Sequence, residues 1–333
     1  MKKIIVLFLF VFFLSASGGA TDLKGYLSFD YSSNSNQSEK IPAAFKNVGV
    51  GLEIAGNLGR GFSYRAELRL WETEVRIEQA LVSFSLSEKI SVSAGLFLVP
   101  FGSYNRWSRP HETLLVDLPL HVGEIFPSSW RDIGLVVEGD FGFFFFQTYL
   151  GNGLAEAADL GSAQQFEDNN RNKARGGRVG FLLQENFSAS FSYYRGKYDE
   201  EAQRKLVLRG TDIRWEPGVF QFRYEYTRAE LENPDPFAAG KATAHFFQVS
   251  FLIWNLRPVA SYQELEYEDP FHGPGYSLPL LPSGMSEKRK RWTGGVVYFP
   301  HPNLLIKLEY DFDHDVLLAL KNNVFKVQVA LSF

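Results

Sequence analysis

Hydrophobic side chains recur at every second position over most of this chain, the period of a strand, which turns successive side chains to opposite faces. Phe220, Phe222, Tyr224 and Tyr226 alternate with Gln221, Arg223, Glu225 and Thr227. Leu304, Ile306, Leu308, Tyr310 and Phe312 alternate with Leu305, Lys307, Glu309 and Asp311. The last stretch sets Val327, Val329, Leu331 and Phe333 against Lys326, Gln328, Ala330 and Ser332. The pattern predicts strands near 24–32, 46–57, 61–71, 74–86, 90–99, 132–140, 143–151, 174–184, 187–197, 204–215, 219–229, 244–254, 257–267, 289–299, 303–313 and 322–333. Alternation weakens over Ala80–Phe84 and Arg204–Trp215, so the count of about 16 spans roughly 14 to 18.

Connector lengths separate the fold classes that alternation leaves open. Connectors after even-numbered strands are tight, as in Ser87 to Lys89, Asp140 to Gly142 and Glu216 to Gly218. Most of those after odd-numbered strands are long: Ser33 to Phe45, Pro100 to Arg131, Asn152 to Lys173, Asn233 to Thr243 and Glu268 to Lys288. Short periplasmic turns and long external loops mark an all-β transmembrane antiparallel β-barrel rather than a sandwich with one wet face. Bilayer hydrocarbon offers no hydrogen-bond partner to an open sheet edge, so such a sheet must close on itself. About sixteen strands enclose an aqueous channel, whereas about eight are filled by their own side chains.

Residues 1–20 stand apart as an export signal: Lys2 and Lys3, an apolar run from Ile4 to Leu14, then small residues to Ala20. That leaves 21–333 as one barrel domain of the bacterial outer membrane. Beyond Ala20 no apolar run reaches the ~18 residues of a membrane helix. The chain passes quickly into strand, which leaves no room for the plug of an energy-coupled importer. The composition agrees with a barrel greasy outside and wet inside, with aromatic residues at 16%, 31 Phe and 29 Gly. The absence of Cys removes disulfides, thiolate metal sites and lipoprotein anchoring. The 34 Lys and Arg, two of them in the signal, face 38 Asp and Glu, a mild acidic excess that argues against a nucleic-acid partner.

Enzymatic chemistry finds little footing. The six His residues (His111, His121, His245, His272, His301 and His314) are scattered without metal-ligand spacing, and no cofactor motif is present. His245 and Ser250 share a predicted strand, but their odd separation puts them on opposite faces.

The charges of interest fall in two places. The connector Pro100 to Arg131 carries Arg106, Arg109, His111, Glu112, Asp117 and Arg131, with His121 and Glu124. Its arginines would either attract anions bidentately or pair with neighbouring carboxylates and brace the loop. On the predicted inner face stand Arg65, Glu67, Arg69, Arg223, Glu225, Lys307, Glu309 and Lys326. Opposed signs two residues apart would create either a transverse field or a lattice of ion pairs. Lys288 to Arg291 is expected at the external rim, against anionic lipopolysaccharide. Trp71, Trp215, Trp254, Trp292 and Tyr298 are candidates for the interfacial belts within outer-membrane lipid.

Several segments resemble the phosphate-selective porins O and P and their broad porin relatives. They are Glu78-Gln79-Ala80 before Val82-Ser83-Phe84, the run GLFLVPFGSYN from Gly95 to Asn105, and Asp117-Leu118-Pro119-Leu120. Asp168 to Ala174 before Gly177-Arg178-Val179, and Tyr193 to Tyr198, continue the series. The resemblance implies a sixteen-stranded homotrimeric channel whose third external loop folds inward, which would make the charges of 100–131 a constriction. It also implies that the terminal aromatic Phe333 acts as a signal to the barrel assembly machinery. The dense arginine array of the named members is not evident on one predicted face. The function expected is a porin for passive diffusion of small hydrophilic solutes or ions, with a phosphate-like anion bias. A structural or adhesive barrel with a loop-blocked lumen is the alternative.

Overall fold

The computed structural model describes residues 21–34, 43–72, 74–157, 159–183, 186–269, 271, 287–316, 320–321 and 323–333. The signal expected over 1–20 and His272 lie outside the described residues. The first eight strands are β1 (Thr21–Asn34), β2 (Ala44–Gly59), β3 (Phe62–Trp71), β4 (Val75–Ser85), β5 (Ile90–Leu98), β6 (Arg131–Asp140), β7 (Phe144–Gly151) and β8 (Ala174–Leu183). They are followed by β9 (Phe187–Lys197), β10 (Lys205–Trp215), β11 (Phe220–Leu231), β12 (Gly240–Phe251), β13 (Leu256–Asp269), β14 (Glu287–His301) and β15 (Leu304–Asp315). The short β16 (Leu320–Lys321) and β17 (Val324–Ser332) both pair with β15 and together make one wall strand, so the wall counts sixteen.

Each strand pairs antiparallel with its neighbours, and β1 pairs with both β2 and β17, which closes the barrel. The seam runs from Tyr26 opposite Ser332 to Asn34 opposite Val324. Phe333 extends it: its N–H donates to Gly25 O at 2.9 Å, and Gly25 N–H donates to Phe333 O at 2.8 Å. The Phe333 ring lies over Gly25, where a Cβ would come within 2.6 Å of it.

The faces follow the alternation. On β11, Glu225 and Thr227 are buried inward while Phe220 is 59% exposed outward. Phe181, Phe191, Val249, Leu308 and Phe312 join it in an exposed apolar outer surface, the band that hydrocarbon would cover. Trp215, Trp254, Trp292 and Tyr298 stand exposed. The weak alternation near Ala80 has a local cause. Opposite Glu67 and Leu68 the β3–β4 register skips Glu78, a bulge that lets both Glu78 and Gln79 bury their side chains.

Candidate functional site

The connector between β5 and β6, residues 99–130, folds into the barrel and is tied to the wall all round. Asn105 closes its neck: Nδ2 donates to Val99 O at 2.8 Å and Trp130 O at 2.9 Å, and Oδ1 accepts from Trp130 N–H at 2.8 Å. Gly102 follows with φ +61°, and a Cβ there would meet Glu225 Oε1 at 2.1 Å; glycine is needed for both reasons. The approach lets Ser103 give its N–H to Glu225 Oε2 at 3.0 Å and its hydroxyl to the same oxygen at 2.6 Å. His121 Nε2, from the irregular turn at His121–Glu124, lies 3.0 Å from Glu225 Oε1. A buried carboxylate thus holds two parts of the loop.

On one side the junction is dry. Phe97, Val99, Phe101, Phe126 and Trp130 pack with the inward side chains Leu206, Leu208, Ala229, Leu231, Ala244 and Phe246. Phe101 meets Phe126 edge-on at 5.4 Å, and Trp130 meets Tyr194 edge-on at 5.0 Å, favoured aromatic geometries.

On the other side charge does the holding. Arg109 donates Nε to Glu67 Oε1 at 2.8 Å and Nη2 to Glu67 Oε2, while Nη1 reaches Glu112 Oε2 at 3.2 Å. Burial works against its charge, but Glu67 and Glu112 overcome that and raise its pKa. Lys307 Nζ donates to Thr113 Oγ1 at 2.9 Å and Leu115 O at 3.2 Å. Glu309 accepts from the N–H groups of Val116 and Asp117. Asp117 is shared by Lys326 and Arg291. Asp117, Glu309 and Asp311 gather closely enough to suggest a cation site, but Lys326 pairs with all three.

Three cavities flank the loop toward the short-turn end. One of about 710 Å³ is lined by Arg65, Arg106, Trp107, Arg109, Glu112 and Glu138. A second of about 470 Å³ lies against Tyr26, Glu53, Arg109, His111 and Phe333, and a third of about 480 Å³ against Arg106, Gln147 and Arg178. Arg106 borders two of them, donates Nη1 to Gln147 Oε1 at 2.9 Å, and has its pKa lowered by burial and by Arg178. His111 packs against the Tyr26 ring at 5.1 Å, the two rings tilted by 42°. Burial, then the charges of Arg109 and Lys307, lower its pKa to about 4.

The residues singled out in the sequence therefore divide. Arg65, Arg106, Arg109, His111 and Glu112 border cavities. Glu67, Glu225, Lys307, Glu309 and Lys326 face inward but clamp the loop, and Asp117 is among the groups they hold. Arg69 is buried 3.5 Å from Glu67. Arg131 opens β6 at the loop's foot, with Nη1 on Ile77 O at 2.6 Å and its guanidinium over the Phe166 ring. Of the run 288–291, Lys288 bonds Glu264 and Glu266, whereas Arg289 and Arg291 reach loop residues Glu124 and Asp117. His245 bonds Tyr224 at 3.2 Å on the outer face, while Ser250 is buried inward.

The structure adds a basic group that the alternation alone did not bring together. Arg214 and Arg223 are register partners on the inner face, and Arg223 lies over Tyr104 of the loop. Arg257, on the inner face of β13, has Glu216 and then Arg223 as charged neighbours. Arg214 pairs with Glu216 at 2.6 Å, but neither Arg223 nor Arg257 forms an ion pair among the described residues. The buried atoms Arg223 Nε, Arg257 Nε, Gln248 Nε2 and Ser250 Oγ lack hydrogen-bond partners.

A closed sixteen-stranded antiparallel wall with a long loop turned inward defines a porin-type β-barrel. Solved structures of that type match over nearly the whole chain. The outer membrane channel DcaP of Acinetobacter baumannii is 13% identical with a TM-score of 0.68, covering 96% of this chain and 98% of its own. Salmonella typhi OmpF is 11% identical with a TM-score of 0.68, over 95% and 98%. An anion-selective porin from Comamonas acidovorans is 12% identical with a TM-score of 0.64, over 95% and 100%. At these identities the likeness is one of fold. No family profile matches the chain. An uncharacterized protein of Aquifex aeolicus is 22% identical over 78% of this chain, which spans 66% of that relative's length.

Proposed function

We propose that this chain is an outer-membrane porin through which small hydrophilic solutes diffuse passively, with a bias toward anions of the phosphate kind. The observation that carries the reading is the charged vestibule under the inward loop, bordered by Arg65, Arg106, Arg109, Glu112 and Glu138 in a closed barrel. A polar lumen and an apolar exterior are what a solute path across a bilayer requires. Arg106, Arg109, His111 and Glu112 would contact solute, with Asp117 and Arg131 as struts. The anion bias is assigned to Arg223 and Arg257, neither of which forms a direct ion pair among the described residues. In the same reading residues 1–20 are the removed export signal, and Phe333 is recognised by the barrel assembly machinery. Three copies associate within outer-membrane lipid and lipopolysaccharide.

Purified protein in planar bilayers tests this. Stepwise conductance is expected, with a reversal potential on the anion side that moves toward cations in Arg223→Gln/Arg257→Gln. An absence of steps removes the channel reading, and an unmoved reversal potential removes the arginine assignment. One observation favours a second reading, a structural or adhesive barrel with a blocked lumen: the loop is bound to opposite sides of the wall. A silent bilayer with correctly folded protein would select it.

A further inference from the structure

The outer wall of β8 to β11 carries a basic patch that plays no part in solute passage. Outward positions there change in the same order toward the long-connector rim. They run Phe181, Val179, Arg175 on β8 and Phe191, Tyr193, Arg195 on β9. On β10 the order ends at Thr211 and Arg209, and on β11 it is Phe222, Tyr224, Tyr226, Arg228. Two residues along a strand advance about 6.6 Å, so each arginine stands one side-chain layer or two above the aromatic or apolar band. Aromatic rings mark the membrane interface; the layer just above it holds headgroups.

The register sharpens the point. Arg175 is opposite Arg195, and Arg209 is opposite Arg228. Like charges directly across a strand pair repel. Glu230 answers the second pair, at 3.0 Å from each arginine. Arg175 and Arg195 are exposed, and neither forms an ion pair among the described residues. The sector of β13 and β14 at the same rim behaves differently. Its outward Lys288 and Lys290 face Glu264 and Glu266, with contacts of 2.6, 2.7 and 3.8 Å. One sector cancels its own charge and the other leaves Arg175 and Arg195 for an outside anion. Guanidinium groups take phosphate oxygens in a fork geometry and stay charged at any accessible pH.

We infer that the outer face of β8 to β11 binds the phosphate-bearing headgroup of an outer-leaflet lipid, gripped by Arg175 and Arg195 and flanked by Arg209 and Arg228. The inference rests on the membrane placement proposed above and goes beyond it by naming the site. It also moves the expected lipid contact away from Lys288 to Arg291.

The test is native mass spectrometry of the full chain in detergent, with diphosphorylated lipid A as probe and chemically dephosphorylated lipid A as its counterpart. Wild type is expected to retain the diphosphorylated lipid and to release the other. Arg175→Gln/Arg195→Gln should lower retention roughly tenfold or more, the scale of lost charge-assisted hydrogen bonds, while Lys288→Gln/Lys290→Gln should retain it like wild type. Equal retention by the arginine variant overturns the site. Wild type that holds both lipids equally overturns it as well, whether or not the variant folds. Wild-type conductance recorded in parallel separates the two readings: a conducting chain that retains no lipid A defeats this inference and leaves the channel intact.

Discussion

The two sides of the lumen hold the same loop by different physics. Toward β9 to β13 the loop is sealed by apolar packing, with Trp130, Phe126 and Phe101 fully buried. Toward β3, β15 and β17 it is held by Arg109 on Glu67, Lys307 on Thr113 and Lys326 on Asp117. Apolar contact excludes water and gains from leaving no gap. Charged contact keeps polar surface at the boundary, and the cavities of about 710 and 470 Å³ both border Arg109 and Glu112. The lesson is that the apolar side fixes where the loop lies, while the polar side leaves a wet margin beside it.

That contrast can be broken from either side. The largest effect is expected from Trp130→Ala, which empties the centre of the dry junction and should cost about 3–5 kcal/mol. Limited proteolysis within residues 100–130 and the unit conductance should both rise; a loop as protected as before would show that the apolar seal is not the main anchor. Next comes Arg109→Met, which leaves the buried Glu67 without its bidentate partner. With Arg109 13% exposed, roughly 2–3 kcal/mol is expected, below the cost for a fully buried pair. Chemical denaturation would measure it, and Glu67→Gln added to Arg109→Met should recover part of the loss. A double variant no better than the single one would refute the view that this pair acts as a clamp.

The smallest effect is a pH dependence at His111. Its pKa in the folded protein is about 4, against 6.5 as the ordinary value. Above about pH 6.5 it is neutral in both states and contributes no slope. As pH falls from there toward 4, the unfolded chain takes up a proton that the folded chain refuses, so stability declines and then levels off. Denaturation midpoints over this range should fall less steeply in His111→Asn than in wild type. Parallel profiles would show that the imidazole is more hydrated than its packing on Tyr26 implies.

Much of the wall was legible in the sequence because a two-residue period carries over directly into two faces. The stretch from Phe220 to Arg228 and the terminal run to Phe333 fall on strands with the expected sides. The stretch near Ala80 was less legible because a bulge at Glu78 is set by pairing with β3 and leaves no mark in a local pattern. The motif GSYN was visible as a string, but its reason was not. Gly102 and Ser103 matter because Glu225, more than a hundred residues later, receives them, and Asn105 because it ties Val99 to Trp130 across the loop's neck. Arg106 and Arg109 look alike in sequence, yet one ends on an amide at a cavity edge and the other in a carboxylate clamp. Arg223 and Arg257 lie 34 positions apart and become charged neighbours, with Glu216 beside them, only when β11, β12 and β13 align.

By itself the sequence determined the class of this protein: a barrel of about sixteen strands, within roughly 14 to 18, apolar outward and polar inward, with long connectors at one end. Side-chain alternation and turn length are local properties, so they survive in one dimension. The tertiary structure alone decided which charges clamp the loop, which border water, and which are left unpaired inside and outside the wall. Those outcomes depend on register between strands distant in sequence and on desolvation, and neither exists until the barrel has closed.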